Sequence, residues 1–156
     1  MNIVALGTLD PAEESYSTAI RLCQESLKET ENAPFGTRKC DDMYILLLNR
    51  GCLRLNNGRA KEALVDLVKA SDLRGKPDGV VAQNLARARE LNGQYAAADR
   101  EYSLAISMTS NEVNPFWLRS ALVKLQLGDI KGGFDLLKRV ENRFPEAPEV
   151  RAAYAT

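Results

Sequence analysis

The chain has 156 residues, of which 45% are hydrophobic, so it is long enough to bury one hydrophobic core. Its 21 basic and 21 acidic residues cancel, which removes the overall positive charge that a nucleic acid or an anionic membrane would attract. Because the sequence contains no histidine, the Ser-His and Cys-His pairs used in nucleophilic catalysis are excluded.

Other motifs of catalysis are also missing from the sequence. Neither a P-loop motif nor the glycine-rich dinucleotide motif occurs, so no loop is predicted to hold a phosphate group. The acidic residues are expected on the polar faces of helices, where they are solvated. We therefore predict a protein that is not an enzyme and that requires no cofactor and no metal ion.

The number and spacing of the cysteines indicate whether the protein is found in a reducing or an oxidising compartment. Cys23, Cys40 and Cys52 are odd in number and lack CxxC spacing, which argues against a disulfide framework or a zinc site and favours buried thiols in a reducing environment. The apolar run at the amino terminus is too short for a signal peptide, and no run of about 18 apolar residues occurs. The sequence predicts a soluble intracellular protein of the cytoplasm or an organelle interior, with a removed targeting segment left open.

The first predicted helix begins at Asp10 and Pro11, after a short extended start, and should end near Thr30. Glu13 and Glu14 lie in its first turn, where the helix dipole stabilises negative charge. We predict that this helix caps the elements that follow it.

A long connection is predicted for residues 31–40, because Pro34 and Gly36 interrupt the helical pattern. Long connections are often functional, and Phe35 is the residue with which this one would contact a partner, since aromatic side chains are enriched in interfaces. The alternative interpretation is a solvated insertion.

The stretch from Tyr44 to Ala147 contains three copies of one sequence repeat. Gly58, Gly93 and Gly128 are separated by a constant 35 residues, and apolar residues with helical spacing lie on both sides of each glycine. A period in this range is typical of a stacked repeat array, in which no unit can bury its apolar face alone. Small and large residues that keep the same period are Gly51, Ala86 and Ala121; Ala63, Ala98 and Gly133; Leu67, Tyr102 and Leu137; and Ala70, Ala105 and Val140.

Two helices are predicted in each unit, joined at the glycine. The six helices cover residues 41–56, 59–73, 78–92, 95–108, 114–127 and 130–143. Turn and capping residues at 76–79 and 110–111 separate the pairs.

A further short helix is predicted after Pro145, within residues 148–155. It is interpreted either as a cap or as the first helix of a fourth unit. Val150, Ala152, Ala153 and Tyr154 would leave apolar surface uncovered if this helix ended freely, so we expect it to meet further residues of a longer chain or another subunit.

The repeated unit resembles the tetratricopeptide repeat, whose consensus places Trp or Leu, small residues, a turn glycine, an aromatic or Leu, Ala and Pro at matching spacings. The residues that match are Gly51, Gly58, Ala63, Leu67 and Ala70 in the first unit, Ala86, Gly93, Ala98, Tyr102 and Ala105 in the second, and Trp117, Ala121, Gly128, Leu137 and Pro145 in the third. The chain departs from the consensus at Arg54, Arg89 and Lys124, where an aromatic residue or Leu is expected.

The resemblance implies an all-α, right-handed superhelical solenoid of three helix-turn-helix units with a capping helix at each end. The implied divisions are residues 1–43 for the amino-terminal cap and long loop, 44–78, 79–113 and 114–147 for the three repeats, and 148–156 for the carboxyl-terminal cap or fourth unit. Ala19, Cys23 and Ser26 in the first helix have the spacing of a second repeat helix, so that helix is either the remnant of a degenerate repeat or simply a cover for the first repeat.

In tetratricopeptide arrays the first helix of each unit lines a concave groove. Asn49, Asn84 and Arg119 share one repeat position there and are expected to form a ladder along one wall. The complete set of candidate groove residues is Leu48, Asn49, Cys52, Gln83, Asn84, Arg87, Leu118, Arg119 and Leu122. Amide and guanidinium groups in such a groove suit an extended peptide or a helix of a partner protein.

The best-known ligand of the family is the acidic carboxyl-terminal tail of cytosolic chaperones, held by a clamp of two lysines, two asparagines and an arginine. Asn84 and Arg119 match two of these five positions, whereas Leu48, Cys52 and Pro115 occupy the other three. This chain is therefore expected to bind such a tail poorly.

Two functions compete. The first is a non-catalytic scaffold, adaptor or assembly factor that binds a peptide or protein segment in its concave groove. The second is a structural accessory subunit held permanently in a larger complex, which the resemblance allows to be a membrane-associated one. Both interpretations imply a protein partner, no nucleic acid and no direct membrane insertion.

Overall fold

The structure, a computed structural model, describes residues 10–29, 42–109 and 113–155. Within these ranges the chain forms eight α-helices and no β-strand. In chain order they are α1 (Pro11–Glu29), α2 (Met43–Asn56), α3 (Ala60–Arg74), α4 (Gly79–Leu91), α5 (Tyr95–Ser107), α6 (Phe116–Gln126), α7 (Ile130–Arg143) and α8 (Pro148–Tyr154). The predicted extended start, the loop with Phe35, the turn at 110–111 and Cys40 lie outside the described residues.

Helices that follow one another in the chain pack against one another. α2 pairs with α3, α4 with α5 and α6 with α7, and each pair stacks on the next through α3 against α4 and α5 against α6. The predicted all-α solenoid of three helix pairs with a flanking helix at each end is thus confirmed. None of the described helices is both long enough and apolar enough to cross a membrane.

The turn glycines have the conformation that the sequence predicts. Gly58, Gly93 and Gly128 have φ angles of 75°, 73° and 84°, in the left-handed region that residues with a Cβ rarely adopt. Each of them lets the chain reverse between the two helices of its repeat within a few residues.

The repeated small residues lie where the helices approach most closely. Ala63, Ala98 and Ala121 are completely buried, and the large side chains of Leu67 and Tyr102 fill the space beside them. Gly133 stands where the other repeats have alanine. A Cβ atom there would lie 2.5 Å from Cδ2 of Leu125, so this glycine relieves a crowded helix contact.

α1 packs against α2 as α3 packs against α4. It therefore occupies the place that the second helix of a preceding repeat would take. This position agrees with the interpretation of α1 as the remnant of a degenerate repeat, although the division of the chain into units stays a prediction.

A buried ionic cluster joins α1, α2 and α3. Asp66 is 1% exposed and accepts hydrogen bonds from Arg50 Nε at 2.8 Å, Arg50 Nη2 at 2.7 Å and Arg54 Nη1 at 2.8 Å. Glu13 is also 1% exposed and pairs with Arg54 at 2.8 Å and with Arg59. Buried carboxylates are tolerated only when they are paired in this way.

This cluster corrects the expectation that the acidic residues lie on solvated faces. Glu13 does lie in the first turn of α1, but its buried carboxylate is held by arginines of α2 and of the turn before α3 rather than by the helix dipole alone. Asp66 is likewise a core residue of α3. Neither side chain is solvated.

The three basic residues that depart from the consensus have one structural role. Arg54 pairs with Asp66, Nε of Arg89 lies 4.0 Å from Glu101 Oε1, and Nζ of Lys124 lies 2.9 Å from Asp99 Oδ1. In every repeat the first helix thus uses a cation, instead of an aromatic side chain, to contact a second helix. Arg54 and Lys124 make close ion pairs, whereas the contact of Arg89 lies at the limit of an ion pair and its buried Nε has no hydrogen-bond partner.

The cysteine prediction is wrong in part. Cys23 forms a disulfide bond, whereas Cys52 is a free, half-buried thiol. Disulfide bonds persist mainly in oxidising compartments, so the cysteines no longer support a reducing environment for this protein.

Replacing Asp66 by alanine is expected to destabilise the protein by about 3–5 kcal/mol, because Arg50 would lose its carboxylate partner and Arg54 would keep only Glu13. The measurement is urea-induced unfolding followed by far-ultraviolet circular dichroism. The control is Glu25→Ala, which removes an exposed pair with Arg21 in α1 and should cost about 0.3–0.5 kcal/mol. Equal losses in the two variants would show that the cluster contributes no more than a surface pair.

Candidate functional site

A cleft of about 320 Å³ lies between α4 and α6. Its lining consists of Gln83, Asn84 and Arg87 from α4, Tyr102 from α5, and Pro115, Phe116 and Arg119 at the start of α6. Four of the nine predicted groove residues are therefore brought together here: Gln83, Asn84, Arg87 and Arg119. Sequence analysis did not assign Tyr102 and Phe116 to the site, and their rings stack with centroids 6.2 Å apart.

The other predicted groove residues lie elsewhere. Leu48 is only 8% exposed and belongs to the hydrophobic cluster that also contains Ile20 of α1, so it offers little surface to a ligand. Asn49 is exposed on α2 but does not line the cleft, so the expected ladder is brought together only at Asn84 and Arg119. Leu118 and Leu122 are half-buried against the cluster formed by α6, α7 and α8.

The guanidinium group of Arg119 already has a partner inside the protein. It donates to Glu90 from Nη2 at 2.7 Å and from Nε at 3.2 Å, and the hydroxyl group of Tyr102 donates to the same carboxylate at 2.8 Å. Burial raises the pKa of Tyr102, and the neighbouring Glu90 raises it further, so the phenol remains a donor at physiological pH. Arg119 is thus held in place, but its charge is largely compensated.

The hydrogen-bonded triad of Glu90, Tyr102 and Arg119 could have been detected in the sequence. Glu90 stands at the repeat position occupied by Leu55 and Leu125, and Tyr102 stands where the other repeats have leucine. The second repeat therefore replaces two apolar residues by a hydrogen-bonded acid and phenol. Comparing the three repeats position by position would have identified Glu90.

Arg87 differs from its basic neighbours. The ion pairs in the described ranges include Arg74, Arg89 and Arg119 but not Arg87, whose side chain is exposed in the cleft. Burial raises the pKa of the Cys52 thiol, and the positive charge of Arg87 opposes this rise. Arg87 therefore supplies the uncompensated positive charge of this region.

Asn84 makes one hydrogen bond within its own helix. Its Nδ2 donates to the carbonyl oxygen of Val80 at 2.8 Å, which fixes the orientation of the carboxamide. Asp78 caps the amino end of α4 by accepting from the amides of Val80 and Val81 at 2.9 and 3.2 Å. The cap and the side-chain bond together hold this wall of the cleft in a fixed geometry.

A second pocket, of about 390 Å³, lies between α6, α7 and α8. Its lining is mostly apolar and consists of Pro115, Leu118, Val140, Phe144, Ala147, Glu149 and Val150. Val150 and Ala153 are buried against this part of the solenoid, so α8 leaves less apolar surface uncovered than expected. Tyr154 is 42% exposed and stacks on Phe134 with centroids 6.1 Å apart.

Neither pocket contains an arrangement typical of catalysis. In residues 10–29, 42–109 and 113–155 no group of three or more Cys, Asp or Glu side chains could hold a metal ion. The polar groups of the cleft are amides, guanidinium groups and the hydroxyl of Tyr102, which donates to Glu90, and amides and guanidinium groups bind carbonyl and carboxylate oxygens. The geometry thus favours binding.

A double-mutant cycle on Arg119→Ala and Glu90→Gln should give a coupling free energy of about 1 kcal/mol, because the pair is bidentate but its arginine is 45% exposed. Thermal or urea unfolding of the four proteins measures it. The exposed pair of Arg151 and Glu146 is the control and should show coupling near zero. A coupling at Arg119 no larger than this control would mean that the arginine is free for a ligand.

Arg87→Gln should raise the pKa of the Cys52 thiol further, because a positive charge that favours the thiolate is lost. Only the thiolate reacts with iodoacetamide, so the alkylation rate at Cys52, followed by mass spectrometry, should need a higher pH to reach its maximum. Arg100→Gln, on the exposed face of α5, is the control and should leave the profile unchanged. If the pH profile of alkylation is the same in Arg87→Gln as in the wild type, Arg87 does not lie close enough to Cys52 to influence its thiol.

No protein-family model and no curated protein matches the sequence. Two solved structures are similar to the whole described fold. One is a tetratricopeptide repeat protein from Parabacteroides merdae, with a TM-score of 0.64 and 18% sequence identity over 94% of this chain. The other is PilW, a widely conserved type IV pilus biogenesis factor, with a TM-score of 0.64 and 21% identity over 93% of this chain.

This chain spans 59% of the length of the first of these proteins and 68% of the second. At such identities the similarity concerns the fold. The resemblance drawn from the 35-residue period is confirmed at that level: the chain has the tetratricopeptide repeat fold.

Proposed function

We propose that this chain is a non-catalytic scaffold that binds an extended segment of a partner protein along its first repeat helices. The observation that carries the proposal is the cleft between α4 and α6, which brings together Gln83, Asn84, Arg87 and Arg119. Their repeat positions are those that line the groove in tetratricopeptide arrays. Similarity to proteins of this fold supports a protein partner.

The chemistry of the cleft favours a peptide over other ligands. A peptide in extended conformation presents one carbonyl oxygen and one amide group per residue, and amide side chains such as those of Gln83 and Asn84 can pair with both. The stacked rings of Tyr102 and Phe116 add an apolar wall. Nucleic acid is not favoured, because basic and acidic residues are equal in number.

A second function is supported by a different surface. Near the glycine turns of the second and third repeats, Leu91, Tyr95, Leu127 and Ile130 are 38–54% exposed. In the first repeat the position of Tyr95 and Ile130 is occupied by the small Ala60. Exposed apolar groups on one edge can hold a permanent neighbour, which fits an accessory subunit of a larger complex.

The proposed binding mode is tested with a partner captured by the tagged protein from extracts of its source and identified by mass spectrometry. Asn84→Ala and Arg87→Ala should each weaken binding of the purified partner by about 3- to 10-fold or more, since each loses at least one hydrogen bond. Both should melt within a few degrees of the wild type, because Arg87 is exposed and the only described bond of Asn84 lies within its own helix.

Two further variants complete the design. Arg100→Ala removes an exposed arginine of α5 outside the cleft and should bind normally. Ala98→Leu overpacks a completely buried helix contact, so it should lower the melting temperature and affect binding only through unfolding. If the cleft variants bind normally while Tyr95→Ser or Ile130→Ser abolishes binding, the edge surface is the binding site and the accessory-subunit function replaces the scaffold.

A further inference from the structure

The cleft and the apolar pocket adjoin each other. Pro115, which directly precedes α6, lines the cleft shared with α4 and also the pocket shared with α8. α6 lies between the two sites: α4 forms the other side of the cleft, and α7 and α8 form the other sides of the pocket. A partner segment that leaves the cleft past Pro115 meets the apolar pocket next.

The two sites differ in charge. In the cleft the carboxylate of Glu90 compensates Arg119, so Arg87 alone provides an uncompensated charge. The pocket has no basic residue in its lining, and its one charged residue is Glu149, which is exposed. Coulomb attraction therefore favours an acidic side chain at the cleft and disfavours one at the pocket.

The pocket is built to hold an apolar group. Leu118 and Phe144 line it from α6 and from the end of α7, and Ala147 and Val150 line it from the start of α8. These side chains are half-buried or buried, so the pocket already exists without a ligand. Its volume of about 390 Å³ accommodates one large aliphatic or aromatic side chain.

Helix packing sets the distance between the two sites. Packed helices lie about 8–10 Å apart, and the sites flank one helix, α6. An extended peptide advances by about 3.3–3.4 Å per residue. The two side chains of a ligand that occupied both sites would therefore be about three residues apart.

We propose that the segment bound along the first helices carries an acidic side chain held by Arg87 and, about three residues away, a large apolar side chain seated in the pocket between α6 and α8. This inference rests on the proposed scaffold function and names the chemistry of its ligand. It differs from the chaperone-tail clamp of the family, because Arg87 occupies none of the five clamp positions.

The experiment is selection from a displayed library of random octapeptides on the immobilised full chain. The wild type should enrich peptides with Asp or Glu at one position and Leu, Ile, Met or Phe three residues away, within one residue. Arg87→Glu should change the preference from acidic to basic residues and keep the apolar one. In fluorescence anisotropy, a selected acidic peptide should bind Arg87→Glu at least about tenfold more weakly.

The apolar site is tested separately. Leu118→Asn should lose the apolar preference and keep the acidic one. Because Leu118 is half-buried, the exposed variant Glu149→Lys provides a second test: it should add a preference for an acidic residue next to the apolar one. Matched controls on α5 are Arg100→Glu and Leu104→Asn, both at exposed positions outside the two pockets, and neither should alter the selection.

The outcomes separate this inference from the scaffold function. If acidic residues remain preferred in Arg87→Glu and are lost in Arg119→Ala, the anchor is Arg119 and the inference is wrong, while peptide binding stands. The inference is also wrong, while peptide binding stands, if the selected peptides show no apolar residue at the stated spacing. It is equally wrong if Glu149→Lys selects the same peptides as the wild type. If the wild type selects no peptide, the proposed function fails as well.

Discussion

No single repeat of this protein can bury its own apolar face, and this constraint governs the whole structure. Each pair of helices is covered by the next pair. The outer faces of the first and third repeats are therefore covered by helices that do not belong to these pairs. At one end α1 covers the first repeat, and the ionic cluster around Glu13 and Asp66 fixes it there. At the other end α8 places Val150 and Ala153 on the third repeat.

The two ends are closed by different forces. α8 uses apolar burial, which tolerates small changes in the position of a short helix. The cover at α1 uses charged groups whose bonds require fixed distances and angles, so it allows only one register between α1 and α2. Buried ion pairs commonly add little net stability and instead select one arrangement among several that are equally apolar. Arg54 belongs to this cluster, and Lys124 makes a further ion pair between helices, with Asp99 at 2.9 Å.

The fold could be predicted because it follows from local periodicity. The 35-residue period located all six repeat helices, and the small residues at Ala63 and Ala98 marked the close contacts that the structure contains. The buried charges could not be found in the same way. Glu13 and Arg54 are 41 residues apart, and an acidic residue in a first turn looks the same in sequence whether it is solvated or buried. The site could be predicted only in part. The repeat register placed Gln83, Asn84, Arg87 and Arg119 correctly in one cleft, but it also placed Leu48 in the groove, whereas Leu48 is buried in the hydrophobic core.

The triad of Glu90, Tyr102 and Arg119 limits how repeats could be gained or lost in this chain during evolution. Repeat proteins commonly lengthen and shorten by gain or loss of whole units, which requires that each unit fit any neighbour. Here Glu90 and Tyr102 come from the second repeat and Arg119 from the third, so their bonds cross the boundary between units. Duplication of the second repeat would place one copy of Glu90, which is mostly buried, beside a unit that lacks Arg119. Deletion of the second repeat would leave Arg119 without Glu90. Although the sequence is periodic, the second and third units are not interchangeable at this contact.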